Sequence, residues 1–139
     1  PGYVMIMVEM NHDARIIRLN SEFNPDSMRR WLGDSIGFWE GNTLVVKTKN
    51  HHPQQKFRAA IRHQILISED AEITEKFTRV GKNEILYQFE VNDDEAYKDV
   101  WKGEMPLRAS QERIYEYACH EGNYAMANIL AGARAEEEQ

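Results

Sequence analysis

The sequence predicts a mainly β fold: an antiparallel meander of about eight strands curling into a barrel or half-barrel, with a short helix near residue 25 and a C-terminal α-helix. Three observations lead there. Apolar and polar residues alternate with period two over several short runs. Turn signals such as Glu40-Gly41-Asn42, Ser68-Glu69-Asp70 and Gly81-Lys82-Asn83 separate those runs. A long 3.6-residue apolar period is confined to the last stretch. Sequential antiparallel strands accumulate twist, and the accumulated twist curls the sheet. A flat α+β sheet with the last helix packed across it is the alternative. Residues 1–139 read as one β-rich domain.

Tyr3 to Met10 is apolar on both alternating faces and reads as a buried strand. Asn11-His12-Asp13 turns the chain into a second strand, Ala14 to Leu19, forming a hairpin. Asn24-Pro25-Asp26 is a helix start signal, because Asn caps and Pro suits the first helical position. Gly33 would end that helix, which covers about residues 25–32. Ser35 to Trp39 and Thr43 to Asn50 are strands about a tight turn with Gly41 or Asn42 at positive φ. Further strands are Ile61 to Ile67, Glu72 to Val80, Glu84 to Val91, Val100 to Leu107 and Glu112 to Cys119. Asn92-Asp93-Asp94-Glu95 is a polar turn. A helix follows from about Tyr124 to Glu137, with Met126, Ile129, Leu130 and Ala133 on its apolar stripe, placed to plug or cover an open sheet edge.

The net charge of −6 argues against a general phosphate-backbone binder. Basic residues are scattered with no basic aromatic stripe, so no nucleic-acid partner is expected. No run approaches 18 apolar residues, so no membrane span is expected. Cys119 stands alone and leaves the compartment unread. The opening shows no signal-peptide pattern and runs straight into apolar residues without an initiator Met. The expectation is that the chain is a processed or truncated piece of a longer protein.

Gly33-Asp34-Ser35-Ile36-Gly37 matches the nucleophile-elbow pattern, but that elbow needs a strand before the serine and a long helix after it. Here a short helix precedes and a strand follows, so the stretch reads as a turn with a locally hydrogen-bonded Asp34 or Ser35. The histidines His12, His51, His52, His63 and His120 show no metal-ligand spacing, and adjacent His51 and His52 point to opposite sides of an extended chain. Neither metal nor cofactor is expected. Glu75 and Arg79 flank Phe77 on an otherwise apolar strand face, as an ion pair, a barrel rim or polar anchors of an apolar pocket. On a final strand, Glu116 and His120 would share one face, and Tyr115, Tyr117 and Cys119 the other. Glu116 and His120 would then suit acid–base work or a pH-sensitive pair. Trp31, Trp39 and Trp101 are core or edge aromatics, or the walls of a ligand mouth.

Several stretches carry a resemblance: His12-Asp13-x-Arg15, Trp31-x-Gly33-x-Ser35-x-Gly37-x-Trp39-Glu40-Gly41-x-Thr43-Leu44-Val45-Val46, Glu75-x-Phe77-x-Arg79, and Tyr115-Glu116-Tyr117-Ala118-Cys119-His120-Glu121-Gly122-Asn123-Tyr124. On these the chain resembles a large family of uncharacterised bacterial proteins, many with export signals. The resemblance implies an exported or periplasmic setting for longer members, in which this region is the C-terminal part. It supplies no activity, cofactor or catalytic residue. The chain departs from the family pattern around His51 to Arg58, so a shared site would not depend on that loop.

Three functions follow, in order. The first is a binding module for a small apolar or amphipathic molecule in the curved sheet, drawing on His12, Arg15, Trp31, Trp39, Glu75, Arg79, Glu116 and His120. The second is an interaction domain whose first strand pairs with another copy, as a homodimer, or with preceding sequence. The third is a metal-independent acid–base enzyme using Glu116 or His120, with His12, Asp13 or Arg15 nearby.

Overall fold

A computed structural model describes residues 2–56, 66–118 and 121–137. Seven strands lie in chain order in one mixed sheet that curls into a half-barrel: β1 (Tyr3–Met7), β2 (Ala14–Leu19), β3 (Asp34–Glu40), β4 (Thr43–Lys49), β5 (Glu72–Gly81), β6 (Glu84–Asn92) and β7 (Trp101–Arg108). A C-terminal helix, α1 (Ala125–Glu137), follows. No helix among the described residues is long and apolar enough to cross a membrane.

Register fixes which residues share the concave face. Val4 pairs with Ile17, Ser35 with Thr48, Val46 with Glu75 and Glu75 with Phe89. Partners across a ladder point the same way. The concave face therefore carries Ile17, Leu44 and Val46 at its centre, with Val4, Ile6, Leu19 and Phe77 packed against them. Phe77, Tyr87, Phe89 and Trp101 continue it as an aromatic row, with ring centroids 4.9, 5.5 and 5.0 Å apart. These separations suit offset aromatic packing.

The meander is not wholly antiparallel. β2 and β3 run parallel, with Ile17 opposite Ser35. Parallel neighbours need a crossover, and residues 20–33 supply it. The predicted helix at 25–32 is absent from that crossover. Asn24 does not act as a cap acceptor: its backbone N–H and side-chain amide both donate to the Asp34 carboxylate, at 2.7 and 2.9 Å. The Arg30 N–H donates to the Asn50 carbonyl, and the Arg30 carbonyl accepts from the His52 N–H. The segment's backbone is thus spent on tertiary pairing instead of helical bonds. Two reverse turns remain, Met28 N–H to the Pro25 carbonyl and Gly33 N–H to the Arg30 carbonyl.

Other boundaries differ. β1 stops at Met7, and Met10–His12 forms a 3₁₀ turn. Residues 112–118 form no strand. Two of their N–H groups, at Tyr115 and Tyr117, donate to the side chains of Glu9 and His12 and not to a ladder. Of the run Ile61 to Ile67, residues 61–65 lie outside the described residues, and 66–67 are not strand. The helix expected from Tyr124 forms, but none of its residues is buried, so it covers no edge. The turn expected after Glu40 also forms, with Gly41 at φ 60°.

Gly33 enters β3 at φ 70°, a region that side chains disfavour. A Cβ there would stand 2.6 Å from Thr48 Cγ2 and 2.9 Å from His51 Cε1. Gly33→Ala is expected to cost about 2 kcal/mol or more, combining backbone strain with overpacking. Urea unfolding followed by circular dichroism checks it, and an unchanged midpoint contradicts the packing described.

A candidate ligand site on the concave face

Arg15 projects from β2 into the concavity. Its Nη1 and Nη2 donate to Glu75 Oε2 and Oε1 of β5, at 2.6 and 3.0 Å. Tyr87 Oη of β6 donates to the same Oε1 at 2.9 Å. Glu75 is 5% exposed, and the Arg15 side chain 21%. A carboxylate this enclosed needs its lone pairs filled, and a bidentate guanidinium with a phenol fills three of them. Burial, and then the neighbouring Glu75 charge, push the Tyr87 phenol well above its ordinary range, so it remains a donor at neutral pH.

Beside this cluster lies a cavity of about 260 Å³. Its apolar walls include Ile6, Val8, Trp31 and Ile73; Arg15 and His51 supply polar groups. Ile67 reaches it because the Ser68 N–H donates to Asp93 Oδ2 at 2.6 Å, tying that segment to the turn after β6. His51 is set by the parallel bridge between Arg30 and His51 just past β4. The two histidines do face apart: His51 is buried, whereas His52 stacks on Trp31, with centroids 4.2 Å apart. A larger hollow of about 330 Å³ between Lys76, Glu90, Lys102 and Glu104 is lined by surface charge. Its Lys102–Glu90 pair is solvent-exposed and weak as an anchor.

The structure gathers some of the expected site residues and disperses others. Arg15, Glu75 and Trp31 converge on the cavity and its polar cluster. Arg79 does not pair with Glu75: its guanidinium donates to the carbonyls of Gly81 and Lys82 at the hairpin tip. Trp39 shares the concave face by register but sits at the end of β3, more than half exposed. His12 lies on the 3₁₀ turn, where its Nε2 accepts from the Tyr117 N–H at 3.1 Å. Glu116 is exposed on a segment that is not a strand, so the shared face expected for Glu116 and His120 does not exist; His120 lies outside the described residues.

Ser35 is no nucleophile candidate. It is buried in β3, with its hydroxyl 2.8 Å from Thr48 Oγ1. Its neighbour Asp34 is a structural clamp, accepting from Arg18 Nη2 as well as from Asn24. Among the described residues, no group of three His, Cys, Asp or Glu side chains is placed to hold a metal ion.

Tyr87 and His51 are the participants that sequence reasoning left out. Tyr87 carried the signal of an inward position opposite Phe77. His51 carried none, since it follows a strand in what reads as a polar loop. No protein-family model, curated protein or solved structure matches the chain.

Burial holds the His51 pKa below the ordinary histidine value; Arg15 and Arg29 reinforce this and Asp93 opposes it. The unfolded chain takes up this proton near about pH 6.5, the folded one only at lower pH. The unfolded state therefore binds more protons below that value. The His51 contribution to stability is full above about pH 6.5 and declines as pH falls, by at most about 1.4 kcal/mol per pH unit. Urea unfolding between about pH 7 and pH 5 should show this decline. His51→Leu should make it shallower; an identical slope in the variant contradicts the assignment.

Proposed function

We propose that the protein is a binding domain for a small apolar or amphipathic molecule, held in the concave face of the half-barrel. The observation that carries this reading is the cavity walled by Ile6, Val8, Trp31 and Ile73 directly beside the enclosed Arg15–Glu75–Tyr87 cluster. Ligand sites are typically apolar hollows with a few fixed polar groups. A further support is where the family-like stretches meet. Asp13, Arg15 and Trp31 line the cavity, and Glu75 holds Arg15 from the opposite side. Two stretches distant in sequence thus line one hollow, and a third braces it through Arg15.

The test uses toluene, an uncharged one-ring apolar molecule, followed by titration calorimetry. Saturable binding with micromolar affinity is expected. Ile73→Trp, which fills the cavity from β5, should weaken binding about tenfold or more while leaving the far-ultraviolet dichroism unchanged. Absence of saturable binding to the parent protein removes the reading.

A second reading, self-association through β1, is favoured by a separate observation. Among the described residues β1 pairs only with β2, and Tyr3, Met5 and Met7 are more than half exposed on its outer face. β7, the other edge, carries Lys102, Glu104, Pro106 and Arg108, which discourage strand addition. β1 has no charge and no proline. A dimer is expected by sedimentation equilibrium at about 100 μM, shifting toward monomer in Met5→Lys. A monomeric parent protein at that concentration rules out this second reading.

A further inference from the structure

His51 is 3% exposed, and neither ring nitrogen has a hydrogen-bond partner among the described residues. Unsatisfied buried polar atoms are uncommon and costly, and each calls for an explanation. The imidazole lines the same cavity as Ile6, Trp31 and Ile73. One edge of the ring, Cε1 and Nδ1, lies against Gly33, whose missing side chain makes room for it.

We propose that this cavity takes an uncharged, mostly apolar molecule bearing a hydroxyl, and that the hydroxyl pairs with the His51 imidazole. The inference rests on the binding reading above and adds the ligand's chemistry to it.

Charge selects against an anionic ligand, since Asp13 also lines the cavity, and a cation would be desolvated against largely apolar walls. The Arg15 guanidinium in the cavity wall is already matched by Glu75 in a bidentate pair. A neutral imidazole offers one donor and one acceptor, and a hydroxyl offers the same two functions in return. The low affinity of His51 for a proton keeps the ring in that neutral form near pH 7. Size selects a small ligand. A cavity of about 150 Å³ accommodates benzene, so about 260 Å³ suits one ring with a short substituent.

The experiment compares 4-ethylphenol with ethylbenzene, which differ by the hydroxyl alone. Binding to the full chain is measured by titration calorimetry near pH 7.5, and the histidine ring nitrogens are followed by ¹⁵N NMR. About tenfold tighter binding of 4-ethylphenol is expected, together with a shift of one neutral histidine's ring nitrogens that ethylbenzene does not produce. His51→Leu should bring the two ligands to within about twofold, mainly by weakening 4-ethylphenol. The comparison on the parent protein and the NMR shift need no variant, so they decide the matter even if His51→Leu folds poorly. Equal binding of the two molecules, or a preference for ethylbenzene, overturns the hydroxyl pairing and leaves an apolar site. Binding of neither overturns the pairing and counts against the binding reading as well.

Discussion

The bond between Arg15 and Glu75 is the constraint on which the rest of the architecture depends. β2 and β5 are not neighbours; β3 and β4 lie between them. On a flat sheet, three inter-strand steps would separate their backbones by about 14 Å. A guanidinium and a carboxylate in bidentate contact across that gap tie the two strands together over the inner face. The bond is thus a cross-brace of the half-barrel. β3, one of the two strands between them, leaves room beneath it: a side chain on Gly37 would meet Ile17 Cγ2 at 2.8 Å, and its absence lets Ile17 pack down over β3. Tyr87 completes the brace from β6, so three strands on two sides of the curl share one carboxylate.

The same brace shapes the concave face. Among the described residues, each edge strand is paired on one side only. α1 does not fill that face, since none of its residues is buried. What the face offers is an aromatic row from Phe77 to Trp101 and an aliphatic centre at Ile17, Leu44 and Val46. The enclosed polar cluster sets these surfaces beside the cavity at His51. Pairing Arg15 with Glu75 cancels the charge that would otherwise favour an anion there. The cavity keeps largely apolar walls, with Asp13 as a second charged residue in its lining.

Much of this fold was legible in the sequence, for local reasons. Period-two alternation located β2, β5 and β6, because each has one face toward the concavity and one more exposed. It also placed Glu75 and Tyr87 on the inner face. The turn at Gly41 was legible because a backbone at positive φ selects few residues. The failures were non-local. Asn24-Pro25-Asp26 has the local chemistry of a helix start, but Asp34 and Asn50 claim its polar groups from a distance in sequence. The alternation of residues 112–118 made no strand, and the Tyr115 and Tyr117 N–H groups go to the Glu9 and His12 side chains. The parallel register of β2 on β3 depends on how a crossover packs, and the Arg15–Glu75 pair depends on the curl itself. No spacing along the chain encodes either. His51 was missed because burial after a strand end is a property of the assembled structure.

The most direct test of the cross-brace is a double-mutant cycle on Arg15 and Glu75, with unfolding free energies measured for the parent, Arg15→Met, Glu75→Leu and the double variant. A brace in the curled sheet predicts a coupling of about 2 kcal/mol or more, because either single change leaves its partner enclosed without a counter-charge. A coupling below about 0.5 kcal/mol, typical of independent sites, would contradict it.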